Sequence, residues 1–173
     1  EPSRRQRQMC IRDRFMFVDE EQVEGKRILS MSSHPTISVI VSVHNIESEY
    51  LIKCIESVKN QTYPFWEICL CNERPTNSET VETLESYRGT DPRIKSNYLP
   101  KNLGIAGATN TAVKFSTGSF LAFLDNDDEL APDALMEVAE TINTNPKVDY
   151  IYTDEDKIDL DGSHVDTYYK PDW

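Results

Sequence analysis

Positive charge is scarce in this chain. Eighteen Lys and Arg stand against thirty Asp and Glu, giving a formal net charge of −12 at pH 7 over 173 residues. A duplex nucleic-acid partner calls for a basic face, and this balance argues against one. Any phosphate-bearing ligand must therefore be held by backbone amides or by a metal ion. Long apolar runs are missing too. Nothing approaches the roughly 18 residues that a spanning helix needs, so no transmembrane segment is expected. The four cysteines are Cys10, Cys54, Cys69 and Cys71. They form no CxxC pair, and Cys54 falls within a helical pattern, so structural zinc and a disulfide framework are both disfavoured. With 38% hydrophobic and 28% charged residues, the chain reads as one globular domain rather than a disordered one.

Residues 1–14, EPSRRQRQMCIRDR, hold five Arg, one Glu and one Asp, a local charge of +3 that leaves −15 for the other 159 residues. The segment has no apolar h-region, which excludes a secretory signal. Met9-Cys10-Ile11-Arg12-Asp13 back-translates naturally to ATG TGT ATA AGA GAC, which resembles the transposon mosaic-end adaptor of sequencing libraries. The head is therefore expected to be adaptor-derived, the alternative being a genuine basic arm for an anionic surface. Residues 15–34 read as a polar lead-in. The last residues, Lys170-Pro171-Asp172-Trp173, carry no capping or tail signal and read as a cut end.

Between these ends strand and helix patterns alternate. The β-branched run Ile37–Val43 predicts a buried strand. Glu49–Gln61 predicts a helix with Tyr50, Leu51, Cys54, Ile55 and Val58 on one face. A strand is expected at 66–71, then an acid-rich helix at 78–87 with Val81, Leu84 and Tyr87 inward. A weaker strand follows at 94–99. Gly104 opens a small-residue helix running to Phe115, and residues 119–124 predict a fourth strand. Pro132 suits the first turn of a helix turning Leu135, Val138 and Ile142 inward. A fifth strand is expected at 150–153 and a hairpin turn at Asp161-Gly162. Such alternation predicts an α/β fold with an open, mainly parallel sheet flanked by helices.

In such a sheet ligands collect at the carboxyl ends of the strands, near the point where strand order reverses. Strand one runs into His44-Asn45, strand two into Asn72-Glu73 and strand four into Asp125-Asn126-Asp127-Asp128. With the order 3-2-1-4, strands one and four are neighbours and their loops converge. Three carboxylates within four residues repel one another without a counter-ion. Oxygen-only ligands suit Mg²⁺ or Mn²⁺, which leave positions open for phosphate oxygens. An EF-hand does not fit, because Leu130 takes the place of the turn glycine and Met136 that of the bidentate Glu. The alternative is a solvated acidic turn before a helix. The small residues from Gly104 to Ala108 allow close approach by either a ligand or the sheet.

Four segments, Ile37–Asn45, Cys54–Thr62, Asn102–Asn110 and Leu124–Asp128, together resemble the family 2 inverting glycosyltransferases of the GT-A fold. Tyr152–Asp159 and Lys170–Trp173 are similar to the bacterial branch that builds O-antigen and other surface polysaccharides, including rhamnosyltransferase-like members. The resemblance covers residues 35–173 and implies a nucleotide-sugar (donor) binding region that is incomplete at its C-terminal side. It implies that Asp125-Asn126-Asp127 is the DxD motif, with Asp127 on the divalent ion and Asp125 at the ribose or the metal shell. Val43, His44 and Asn45 would line the nucleotide pocket, and Gly104 would border the donor. Asn72-Glu73 stands where the family has an Asp-Asp pair that reads the base, with Glu73 able to accept from a pyrimidine imide N–H. His44 replaces the usual Tyr.

The implied reaction displaces a nucleoside diphosphate at the anomeric carbon while a carboxylate base deprotonates an acceptor hydroxyl. The implied partners are a UDP- or dTDP-sugar and a glycan or lipid-linked acceptor, in the cytoplasm or at the inner face of a bacterial membrane. The base is unassigned and expected beyond Trp173, so the chain is expected to be inactive alone. Asp154, Glu155 and Asp156 are candidates for bordering the sugar or acceptor, or else a solvated turn. A phospho-receiver domain and a DxD-type phosphatase each need their acids after strand one, where this chain has His44-Asn45. A non-catalytic nucleotide-sugar-binding module remains the rival reading.

Overall fold

Ile37–Val43 forms β1, and burial along nearly its whole length follows from its β-branched residues having neighbours on both edges and both faces. The computed structural model describes residues 20–73, 77–159 and 162–171. In chain order the elements are α1 (Glu20–Ser30), β1, α2 (Ser48–Lys59), β2 (Trp66–Glu73), α3 (Ser78–Tyr87) and β3 (Ile94–Leu99). Then come α4 (Gly104–Phe115), β4 (Phe120–Phe123), α5 (Ala134–Thr144), β5 (Glu155–Ile158) and β6 (His164–Tyr168). Strands β3-β2-β1-β4 make one parallel sheet in that order, as the alternation predicts.

Period-two alternation sorts the sheet into two faces. Val39, Val41, Ile68 and Leu70 share one core with Leu51, Ile55 and Val58 of α2, Leu84 of α3 and Met136 and Ala139 of α5. Ile40, Cys69, Cys71 and Leu99 face the other way, onto Ala108 and Ala112 of α4. Small residues let α4 lie close on the sheet, so the packing role of this helix is real whatever its N-terminus also does.

Four expectations need correction. Residues 150–153 form no strand; the chain there is irregular and Tyr150 is exposed. The ordered pairing is instead the antiparallel ribbon β5–β6, apart from the main sheet. Four residues hemmed by acids lose to a local hairpin register, closed by Asp159 N–H donating to Ser163 O (2.9 Å) around Gly162 at φ +82°. The polar lead-in, whose secondary structure the sequence pattern leaves open, is helical from Glu20. Arg27 docks α1 onto α5 with bonds to Glu140 Oε1 (2.7 Å) and Oε2 (2.8 Å) and to Glu137 (2.6 Å). Tyr50 is exposed, and on α3 the buried positions are Thr80, Thr83 and Leu84, with Val81 and Tyr87 only partly covered. Pro132 precedes α5 in a turn rather than opening it. The head at 1–14, Asp161 of the expected turn, Asp172 and Trp173 lie outside the described residues.

Candidate functional site at the carboxyl edge of the sheet

Parallel strands bring their carboxyl ends to one edge, and four connections meet there. His44 and Asn45 leave β1, Asn72 and Glu73 end β2, Gly104 opens α4 after β3, and Asp125–Asp128 follow β4. The last loop is tied to β1 by Leu124 N–H donating to Ile40 O at 3.2 Å.

Glu73 is the unusual residue of this edge. Its side chain is 3% exposed, yet Oε1 finds no hydrogen-bond partner among the described residues. Oε2 lies 3.9 Å from Nδ1 of His44, which is itself half exposed. Buried polar atoms are nearly always paired, and one left open at a strand end points to a missing ligand. The Asn72 amide nitrogen is likewise buried and unpartnered among the described residues. Alternation along β2, however, turns Glu73 to the α4 face with Cys69 and Cys71, and Asn72 to the opposite face with Ile68 and Leu70. The two are thus separate contacts and not one side-by-side pair.

Val43 packs wholly into the core, which leaves only its backbone to border a ligand. Asn45 sits at φ +39°, a left-handed conformation that Asn tolerates. Gly104 sits at φ +72°, where its N–H donates to Asn102 Oδ1 at 2.7 Å. A side chain there would meet open space, so conformation and not crowding requires glycine.

Asp125 and Asp127 are exposed and Asn126 half-buried, with Asp128 N–H donating to Asp125 O at 3.2 Å across the turn. The negative field of this loop acts on two neighbouring groups. Desolvation, then the charges of Asp127, Asp125 and Glu155, hold the Asp128 carboxyl above its usual range. Burial first, and then Asp128, Asp127, Glu129 and Asp125, push the Cys54 thiol up to about 12. Glu155 acting on Asp128 also brings the start of β5 near the acidic loop. Within the ribbon each candidate acid is engaged: Asp154 accepts Lys170 N–H (2.9 Å), Glu155 pairs with Lys170 Nζ (2.8 Å) and Asp156 with His164 (3.1 Å).

A divalent ion fits the donor chemistry here, which is all oxygen and concentrated enough to raise a neighbouring carboxyl. Among the described residues no group of three or more His, Cys, Asp or Glu is arranged to hold an ion. An ion at Asp125 and Asp127 therefore needs further oxygens from ligand phosphates and water, the habit of Mg²⁺ and Mn²⁺. No helix among the described residues is long and apolar enough to cross a membrane.

Sequence reasoning missed a buried cluster at the opposite, amino edge. Glu67 is 4% exposed and accepts from Ser38 (2.6 Å), from Lys95, and from the Thr117 backbone and hydroxyl. Gly118 N–H adds a bond at 3.2 Å. Burial opposes ionisation, but the bonds from Lys95, Ser38 and Thr117 outweigh it and lower the carboxyl to about 2. A Glu inside a strand pattern was the available signal.

Comparison with known proteins agrees with this geometry. The family model described as "Glycosyl transferase family 2" matches residues 38–169. The chain is 40% identical over 143 residues to the uncharacterized protein y4gI of Sinorhizobium fredii, covering 83% of this chain and 16% of that protein. It is 32% identical over 146 residues to the O-antigen biosynthesis protein RfbC of Myxococcus xanthus, covering 84% and 12% respectively. It thus spans about a sixth or less of these relatives. Among solved structures, S. aureus TarS 1–349 in complex with UDP superposes with a TM-score of 0.58 at 29% identity, over 64% of this chain and 33% of that one. TarS 1–349 has also been solved with UDP-GlcNAc.

Proposed function

The chain belongs to glycosyl transferase family 2 and has the GT-A fold; from that premise we propose that it carries the donor half of an inverting glycosyltransferase. The donor is a UDP- or dTDP-sugar, and the acceptor a glycan or lipid-linked glycan in bacterial surface polysaccharide synthesis, at the cytoplasmic side of the membrane. The observation that carries this reading is Glu73, a buried carboxylate at the carboxyl end of β2 with one oxygen that has no partner among the described residues.

Glu73 accepts the imide N–H of a pyrimidine, and His44 and Asn45 flank the nucleotide from the neighbouring strand. Asp125 borders the ribose or the metal shell, and Gly104 lets the donor approach the start of α4. Asp127, with Asp125, would hold a Mg²⁺ or Mn²⁺ ion whose charge offsets that of the departing nucleoside diphosphate. Asp154, Glu155 and Asp156 border the sugar or acceptor. No described residue is assigned as the base that deprotonates the acceptor hydroxyl, and on this reading the chain transfers no sugar unaided.

Isothermal titration with UDP- and dTDP-sugars, with and without Mn²⁺, tests the reading. Metal-strengthened binding supports it. Absence of binding to either nucleotide favours a degenerate, non-catalytic nucleotide-sugar-binding module.

A further inference from the structure

The acidic loop has little structure of its own. Residues 124–133 lie in neither helix nor strand, and the turns along it are closed by Asp128 N–H donating to Asp125 O (3.2 Å) and Ala134 N–H to Ala131 O (2.9 Å). Yet a loop that places carboxylates on a ligand must hold them within a fraction of an ångström.

The missing order comes from α2 and the turn behind it. The Cys54 thiol donates to Asp125 O (3.5 Å), and Ser57 Oγ accepts from Leu130 N–H (3.1 Å). Gln61 uses both ends of its amide: Nε2 donates to Ala131 O (2.7 Å) and to Ser57 O (3.0 Å), while Oε1 accepts from Leu135 N–H (2.9 Å). Thr62 N–H donates to Pro132 O at 2.9 Å. Cys54 and Ser57, three residues apart, share one face of α2, and Gln61 follows in the turn just past its end, so the three meet successive points along the loop. Gln61 is 7% exposed, and the bond that it accepts from Leu135 N–H is buried while the other side-chain bonds are part-buried.

We propose that Ser57 and Gln61, with Cys54, are positioning residues that fix the Asp125–Asp127 turn in its ligand-receiving conformation, Gln61 by bridging α2, the end of the loop and the first turn of α5. This assignment rests on the donor-site reading of Asp125 and Asp127. None of the three need touch the nucleotide. Their spacing accounts for the Cys54–Thr62 segment, which the donor site itself does not use.

The test compares the whole chain with Ser57→Ala and Gln61→Glu, the latter keeping the acceptor for Leu135 and losing both donors. Hydrogen exchange is followed at amides 125–131 and, as internal reference, at β1 and β2, alongside UDP affinity with and without Mn²⁺. The expected result is exchange at least about tenfold faster in the loop with the sheet unchanged. The Mn²⁺-dependent gain in UDP affinity falls by about tenfold, while metal-free affinity stays. Unchanged loop exchange and an unchanged Mn²⁺ gain in folded Ser57→Ala overturn the proposal, whether or not Gln61→Glu folds. If the unsubstituted chain binds no UDP, the donor-site reading fails, and the exchange rates still decide whether α2 holds the loop.

Discussion

His44 Nδ1 lies 3.9 Å from Glu73 Oε2, joining the carboxyl ends of two adjacent, paired strands. The contact engages one carboxylate oxygen and leaves the other buried with no partner among the described residues. A fold holds a desolvated charge of this kind at a cost to its own stability, and a ligand that supplies the missing donor recovers it.

Substituting Glu73→Gln therefore moves stability and binding in opposite directions. Removing the buried charge raises the melting temperature of the unliganded chain by a few degrees, on the order of 1 kcal/mol. UDP affinity falls by about tenfold, because a charged acceptor is replaced by a neutral one. Calorimetry in scanning and titration modes reads both.

Acid stability reports on Glu67. Its folded carboxyl lies at about 2, below the ordinary value of 4.5, so the unfolded chain takes up its proton first as pH falls. The contribution is whole above about pH 5 and is lost as pH drops through 4.5 towards 2. Its size is at most about 3 kcal/mol. Urea midpoints between pH 6 and 2.5 fall less steeply in Glu67→Gln than in the unsubstituted chain.

Gly118 packs against the same cluster. A Cβ there would stand 2.5 Å from Ser38 Oγ and 2.6 Å from Thr36 O, the latter a backbone atom that cannot swing aside. Gly118→Ala lowers stability by about 1–3 kcal/mol in chemical denaturation, with UDP affinity unaffected because the substitution lies at the opposite edge of the sheet.

Arg27 spans Glu137 and Glu140, fixing α1 to α5 by bidentate geometry in a partly exposed setting. Arg27→Met costs about 1 kcal/mol and lowers the melting temperature by about 2–4 °C. Exchange at the α1 amides rises while the main sheet is unchanged.

The sheet was legible because its signals are local. The β-branched run of β1, the small-residue start of α4 and the alternation of strand and helix each carry a period that no distant contact reverses. The parallel sheet and its carboxyl-edge loops followed from that alternation, whereas the order 3-2-1-4 entered as a supposition that the structure bears out. What escaped depends on partners far along the chain. Arg27 meets Glu140 across 113 residues, which no window around α1 contains. Glu67 reads as a polar interruption until Lys95 and Thr117 arrive from other elements. Thr80 displaces Val81 from the interior because its hydroxyl has a bond to make, to Ile46 O at 3.0 Å. Tyr150–Thr153 has strand composition but no ladder to join, whereas β5 finds β6 a few residues away. The opposite facing of Asn72 and Glu73 was readable from period two alone, once β2 was known to extend through both.

Binding of UDP to Asp127→Ala with and without Mn²⁺ addresses the central claim most directly. The account predicts that Mn²⁺ strengthens UDP binding to the unsubstituted chain by at least about tenfold, and that this gain vanishes in Asp127→Ala while metal-free binding persists. An equal Mn²⁺ gain in both proteins, or none in either, would contradict it.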